Sequence, residues 1–116
     1  MVVALDPSGS ALATLSARIG REVASVNGDG HCLPFASQSI DVLFYAYSLE
    51  EFHDPSTTLR EAARVLRPDG QLLLFLWRPV LHGKRRRRML DLVKRDFALE
   101  RACDGLQNIR RSYRRR

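Results

Sequence analysis

Apolar residues in this chain come in short dense runs, each closed by a turn-forming cluster. Val2-Val3-Ala4-Leu5 is rich in β-branched residues and ends at Asp6-Pro7-Ser8, which predicts a buried strand stopped by a turn. Ala11, Leu12, Leu15 and Ile19 then recur at helical spacing between Ser10 and Ile19, with Ser8 or Ser10 suited to cap the first turn. Glu22 to Val26 alternates as a strand does until Asn27-Gly28-Asp29-Gly30 breaks it. Cys32 to Ser39 reads as a loop. Ile40 to Leu49 is too apolar for a half-exposed strand and suits the middle of a parallel sheet. Asp54-Pro55 opens the clearest helix, with an N-cap followed by proline at the first helical position, where its missing N–H costs nothing. Leu59, Ala62, Ala63 and Leu66 give that helix one apolar face, and the Arg67-Pro68-Asp69-Gly70 turn ends it. Gln71 to Trp77 predicts another buried strand.

The pattern weakens beyond this point. Arg85 to Arg95 looks helical, with Met89, Leu92 and Val93 apolar. Phe97 to Cys103 reads either as a late strand or as a continuation of that helix, and Asp104-Gly105 breaks it. Ile109 to Arg116 reads either as a fraying strand or as a tail. No internal repeat is present. The order of elements predicts an α/β fold with a mostly parallel sheet over residues 1–80, followed by a basic helix and a late strand or tail over 81–116.

Composition narrows this picture in three ways. A chain of 116 residues with 45% hydrophobic content forms one globular domain at most. No apolar run approaches the roughly 20 residues of a membrane span. The start, Met1-Val2-Val3-Ala4-Leu5-Asp6, lacks the basic region of a signal peptide. Cys32 and Cys103 stand apart with no metal-ligand spacing, so the expectation is two free thiols, no metal and a cytoplasmic setting. The charge is uneven. From Gly83 onward thirteen Lys/Arg face four acids, a local +9 within a chain whose net charge is +6, which leaves the remainder at −3. Lys84 to Arg88 and Arg114 to Arg116 carry most of it. This asymmetry points either to an anionic partner, such as nucleic acid contacted by Arg85, Arg86, Arg87 and Arg88 or an anionic membrane surface, or to a solvated helix face and tail. Tyr113 is the lone aromatic among the arginines, which argues against base stacking.

Ligands of open parallel sheets bind outside the carboxyl ends of the strands. Asp6 stands after the first predicted strand, Gly28-Asp29-Gly30 after the second, and Tyr47-Ser48-Leu49-Glu50-Glu51 after the third. A carboxylate there suits two ribose hydroxyls, and a second one flanked by glycines suits an adenine amino group. The ordinary alternative is that Asp-Pro-Ser and Asn-Gly-Asp-Gly are turns whose acids bond their own backbone. Glu50, Glu51 and His53 likewise read either as a solvated loop or as a source of a general base.

Order and spacing carry more than each piece. Val2-Val3-Ala4-Leu5-Asp6 comes first, then Gly28-Asp29-Gly30-His31-Cys32-Leu33-Pro34-Phe35, then Ser39-Ile40-Asp41-Val42. Asp54-Pro55 comes next with Leu59-Arg60-Glu61, and then Arg64-Val65-Leu66-Arg67-Pro68-Asp69-Gly70. Together these resemble class I S-adenosylmethionine-dependent methyltransferases, in particular the type 11 group that includes ubiquinone and menaquinone biosynthesis methyltransferases. The resemblance runs from Val2 to about Trp77 and implies a Rossmann-like fold with S-adenosylmethionine as cofactor. It implies that Asp6 holds the ribose hydroxyls and that Asp29 accepts from the adenine amino group, with Gly28 and Gly30 allowing close approach. Leu33 or Phe35 would pack near the adenine. Tyr45, Ala46 and Tyr47 would face the methionine part and a small-molecule acceptor, with Tyr47, Glu50 and His53 as candidate catalytic residues.

Three departures stand out. The family's first strand and its Gly-x-Gly-x-Gly loop do not precede Val2. In the family that strand lies between the second and the fourth, so its loss splits the sheet. Either the flanking strands pair directly, or a partner chain or a second copy completes the sheet. Glu50-Glu51 stands where relatives often show a His pair, and Asp69 stands where glycine is usual. The readings are therefore a methyltransferase, a non-catalytic relative that binds a partner, or a nucleic-acid-binding module acting through its arginines.

Overall fold

The computed structural model describes residues 1–77 and 83–116, apart from the Arg21 side chain. The 80/81 boundary therefore lies outside the described residues. The elements are β1 (Val2–Asp6), α1 (Gly9–Ile19), β2 (Val23–Asn27), β3 (Ile40–Ala46), α2 (Pro55–Val65), β4 (Leu66–Trp77), α3 (Gly83–Asp96), β5 (Phe97–Asp104) and β6 (Asn108–Arg115). Short 3₁₀ turns cover Gly20–Glu22 and Leu49–Glu51.

Both predicted caps form. The Ser8 hydroxyl accepts from the Ala11 N–H at 3.2 Å, and Asp54 accepts from the Thr57 N–H at 3.2 Å and from the Thr57 hydroxyl at 2.6 Å. Pro55 sits at the start of α2. The third predicted strand is shorter than its apolar run. It ends at Ala46 because Tyr47 takes a left-handed φ of 57° and turns the chain into the 3₁₀ turn. Asp69 supplies a second left-handed turn, φ 62°, at the position where glycine is usual. The strand pairing jumps there, from Ile40 opposite Leu66 to Val42 opposite Gln71.

The sheet is split. β1 and β2 form a two-stranded parallel sheet, and β3-β4-β6-β5 form a second, four-stranded one. β1 and β3 share no ladder. The expectation of a mostly parallel sheet is corrected. β3 and β4 are parallel, but β6 runs antiparallel to both β4 and β5. The cause is the tight return through Gly105, whose N–H donates to the Asn108 carbonyl at 2.8 Å and folds β5 and β6 into a hairpin. Phe97 begins a strand rather than continuing α3. Ile109 to Arg115 is an interior strand rather than a tail, because Ile109 and Tyr113 are fully buried.

One face of the four-stranded sheet meets α2 and α3. Leu72, Leu74 and Leu76 of β4 pack with Ile109, Tyr113 and Phe97 against Leu59 and Ala62 of α2 and Met89, Leu90 and Val93 of α3. The opposite face carries Val42, Phe44 and Trp77, exposed at 49%, 49% and 38%. Both cysteines are exposed and free, and no described helix is long and apolar enough to cross a membrane.

Leu74→Ala should cost about 2–5 kcal/mol, because it empties a fully closed position. Leu106→Ala, at a side chain 95% exposed, should stay within about 0.5 kcal/mol. Urea midpoints measured by circular dichroism check the pair.

Candidate functional site

The carboxyl ends of β1, β2 and β3 carry the candidate residues, and Asp6, Asp29 and Glu50 each accept a backbone N–H there. Asp6 ends β1, where its Oδ1 accepts the Ser8 N–H at 2.7 Å and its carbonyl accepts the Gly28 N–H at 3.2 Å. Its second oxygen has no protein partner among the described residues. Asp29 Oδ1 accepts both the His31 N–H at 2.9 Å and His31 Nδ1 at 2.7 Å. The His31 backbone N–H, and then its ring, hold the Asp29 carboxyl below its ordinary value. Both acids thus make the turn contacts that the ordinary alternative describes, while each keeps one carboxylate oxygen without a protein donor among the described residues.

His31 fixes more than Asp29. Its Nε2 accepts the Asp54 N–H at 3.1 Å, so Nδ1 carries the proton donated to Asp29. The ring lies edge-on to Phe52, which is edge-on to Tyr45 in turn. Gly30 is buried against Phe52, and a Cβ there would stand 2.5 Å from that ring, so the ring beside Gly30 in this structure is phenylalanine. Gly28 packs closely on Leu5 and Pro34.

Leu33 is buried and pinned from both sides. Its N–H donates to Glu61 Oε2 at 2.7 Å, and its carbonyl accepts from Arg64 Nη2 at 2.9 Å. Arg64 also donates to the Phe35 carbonyl at 2.9 Å, and it forks onto Glu61 at 2.7 and 2.9 Å. The Gln38 and Ser39 N–H groups take the last-turn carbonyls of α2, those of Arg64 and Val65. The loop after β2 is thereby clamped onto α2. Hydrogen bonding to Arg64, assisted by the Leu33 N–H, holds the Glu61 carboxyl below the usual glutamate range against opposing burial.

The residues at and just after the end of β3 divide. Tyr45 points into the core, where its hydroxyl lacks a partner among the described residues, and burial pushes its pKa upward with the Glu61 charge adding. Tyr47 is half-exposed, with its N–H on the Phe75 carbonyl at 2.8 Å and its ring edge-on to Phe75 and Trp77. Glu51 and His53 are exposed, as a solvated loop requires. Glu50 departs from that reading, because the 3₁₀ turn folds it inward to 6% exposure. There Oε1 meets the Trp77 N–H at a long 3.4 Å, and Oε2 has no partner among the described residues.

The sequence pattern of the type 11 methyltransferase domain matches residues 1–74. The chain belongs to this family. A demethylmenaquinone methyltransferase from Corynebacterium glutamicum is 45% identical over 58 residues, which cover 50% of this chain and 25% of that protein. The chain therefore spans about a quarter of that relative's length. Among solved structures, the PH0226 protein of Pyrococcus horikoshii superposes over 99% of this chain and 71% of its own with a TM-score of 0.84, at 16% identity. A SAM-dependent methyltransferase from Aquifex aeolicus superposes over 99% and 69% with a TM-score of 0.83, at 17% identity. Identities this low speak to the fold alone.

The family uses S-adenosylmethionine, and the donor set of this type 11 domain fits half of it. Asp6 and Asp29 each offer a carboxylate oxygen without a partner among the described residues, which is what vicinal hydroxyls and an amino group need. Nothing in the 116 residues supplies the glycine-loop backbone for the methionine end. The clamp residues Glu61 and Arg64 and the connector His31 carried no role in the sequence. The spacing of Glu61 and Arg64 marks a helix-surface ion pair, but nothing in the sequence marks Leu33 and Phe35 as their targets.

Because Glu61 titrates below its unfolded value, the clamp is at full strength above the ordinary glutamate range and is lost as pH falls through the depressed value. Slow exchange of the Leu33 amide should persist from neutrality down through the ordinary glutamate range and be lost only at pH values below it. Arg64→Ala should lose it already at neutral pH while β4 and β6 amides stay protected. Hydrogen exchange followed by NMR checks both.

Proposed function

We propose that this chain is the body of an S-adenosylmethionine-dependent methyltransferase. It carries the adenosine half of the cofactor site and the acceptor-side residues, and it does not turn over as this chain alone. One observation carries the reading. Asp6 and Asp29 stand at the carboxyl ends of the neighbouring parallel strands β1 and β2, where Asp6 lies in register with Asn27, and each is oriented by backbone N–H groups. Asp6 would hold the ribose hydroxyls, Asp29 the adenine amino group, and Leu33 with Phe35 the apolar side of the adenine.

The cofactor, when bound, supplies an activated methyl group, so the chain's own part is to bind, align and exclude water. Tyr47 offers a ring at the carboxyl edge for an acceptor to pack against. Glu50 is the candidate general base, because it lies on the turn after β3 and its Oε2 makes no hydrogen bond among the described residues. The acceptor is a small molecule with a removable proton.

Isothermal titration with S-adenosylhomocysteine tests this reading. Weak binding is expected, because half of the ligand is ungripped. Asp6→Ala should weaken it about tenfold or more, the loss of one or two charge-assisted hydrogen bonds. No heat from the folded chain at the highest soluble ligand concentration, or affinity indifferent to Asp6→Ala, would leave a scaffold without a cofactor site.

A second reading, contact with RNA, draws on the groove between α3 and β6. This groove of about 270 Å³ is lined by Arg86, Arg87, Lys94 and Arg111 against Asp91 and Asp104. Arg111 is paired with Asp104 at 2.6 Å, whereas Arg86, Arg87 and Lys94 have no carboxylate partner among the described residues. Of the neighbouring arginines, Arg85 lies 3.5 Å from the Glu50 carbonyl and Arg88 is exposed. Affinity for a short RNA should fall steeply with salt. Replacing Arg86 and Arg87 by alanine should flatten the logarithmic slope by about two. A slope unchanged by the substitutions would assign the charge to solubility.

A further inference from the structure

We infer that His31 is a positioning residue that sets the base preference of the cofactor site. It holds Asp29 as a fixed acceptor for the amino group of adenine and ties that acid to the start of α2. His31 acts through Asp29 rather than on the ligand itself, so its role rests on the cofactor reading above.

Asp29 is an exposed acid on a loop, with its side chain 65% accessible, and nothing in such a place fixes a carboxylate unless a partner holds it. Here the partner is His31. Its backbone N–H and its ring Nδ1–H converge on the same oxygen, Oδ1, at 2.9 and 2.7 Å. Two donors on one oxygen restrict the plane of the carboxylate, and with it the direction in which Oδ2 can accept. An ionised carboxylate held this way accepts and cannot donate. It suits the exocyclic amino group of adenine. It opposes the oxo group of hypoxanthine, whose oxygen would meet a carboxylate oxygen with no proton between them.

The histidine is fixed on its far side as well. Nε2 accepts the Asp54 N–H at 3.1 Å, which leaves the proton on Nδ1, where Asp29 needs it. Asp54 caps α2 through its carboxylate while its own N–H goes to His31. The ring lies edge-on to Phe52 at 5.2 Å and 84°. Both ring nitrogens thus meet partners, one in the loop after β2 and one at the start of α2, which a ring kept for packing alone does not require. The loop is strapped to α2 at two places. Glu61 and Arg64 hold Leu33 and Phe35, and Asp54 holds Asp29 through His31. The groups proposed for the apolar side of the adenine and for its amino group are therefore placed by one helix. The same path reaches the acceptor side, because Phe52 directly follows the Leu49–Glu51 turn that carries Glu50.

Isothermal titration of the chain with S-adenosylhomocysteine and with S-inosylhomocysteine, in which an oxo group replaces the amino group, tests the role. The unaltered chain is expected to favour the adenine ligand about tenfold or more. His31→Phe keeps a ring against Phe52 and removes both polar bonds, so it should erase the preference. His31→Gln returns a donor and an acceptor and should recover most of it. Amide protection in β6 shows that each variant is folded, and His31→Leu carries the same comparison if His31→Phe loses that protection. Equal loss of affinity for both ligands would mark a structural part only and overturn the inference. So would a preference that survives His31→Phe, equal binding of the two ligands by the unaltered chain, or an imidazole nitrogen NMR spectrum of the free chain without a proton on Nδ1. Asp29→Ala separates the two levels. A preference lost in Asp29→Ala and kept in His31→Phe would leave Asp29 its cofactor role and take this one from His31. A folded chain that binds neither ligand would overturn the cofactor reading and the role of His31 with it.

Discussion

The structure depends on the clamp of Glu61 and Arg64 around Leu33. No strand ladder among the described residues joins the β1–α1–β2 unit to the four-stranded sheet, so the loop after β2 carries the connection. A fork of charge-assisted bonds, two helix-end carbonyls and the His31 bridge to Asp54 replace what a continuous sheet would supply through backbone hydrogen bonds. The pair is partly shielded, with side chains 19% and 36% exposed, so salt screens it only in part. Its bonds end on backbone groups of a loop. Loop position is therefore set by two side chains of α2, and α2 is set in turn by the Asp54 cap and the leucine core.

Local signals were legible where one residue type settles one geometry. Ser8, Asp54 and Pro55 marked helix starts by capping chemistry, and the order of the motifs pointed to a divided sheet. The place of β6 was not legible. Only Ile109 and Tyr113 are apolar and buried in a run dominated by arginine, and such a run reads as a tail. It is interior because Arg111 pairs with Asp104, Arg114 with Glu100, and Arg115 donates to the Leu66 carbonyl. Two of these pairs lie within one hairpin, but the Leu66 carbonyl is 49 residues from Arg115, and such a partner leaves no local trace. The burial of Glu50 was hidden for a different reason. Glu50 and Glu51 are chemically the same, and only the phase of the 3₁₀ turn decides which one enters the protein.

The carboxyl edge also holds unsatisfied polar groups. Buried polar atoms without partners are uncommon in native folds and costly, and among the described residues the Tyr45 hydroxyl and Glu50 Oε2 are both of that kind. Tyr47 adds a left-handed backbone at a residue with a bulky side chain. All three lie at or just after the end of β3, beside the free edge. A stability argument alone would favour apolar residues and a glycine at these positions. The other two such atoms among the described residues, Asn108 Oδ1 and the Tyr113 hydroxyl, belong to β6.

The division of the site comes from the division of the sheet. Asp6 and Asp29, proposed for the adenosine half, lie at the end of β1 and just after β2, whereas Tyr47 and Glu50 follow β3 of the four-stranded sheet. Group transfer is sensitive to misplacement on the scale of an ångström, because the rate advantage of a bound pair is orientational. With only a loop clamp between the two units, that alignment rests on a few side-chain bonds rather than on a shared ladder.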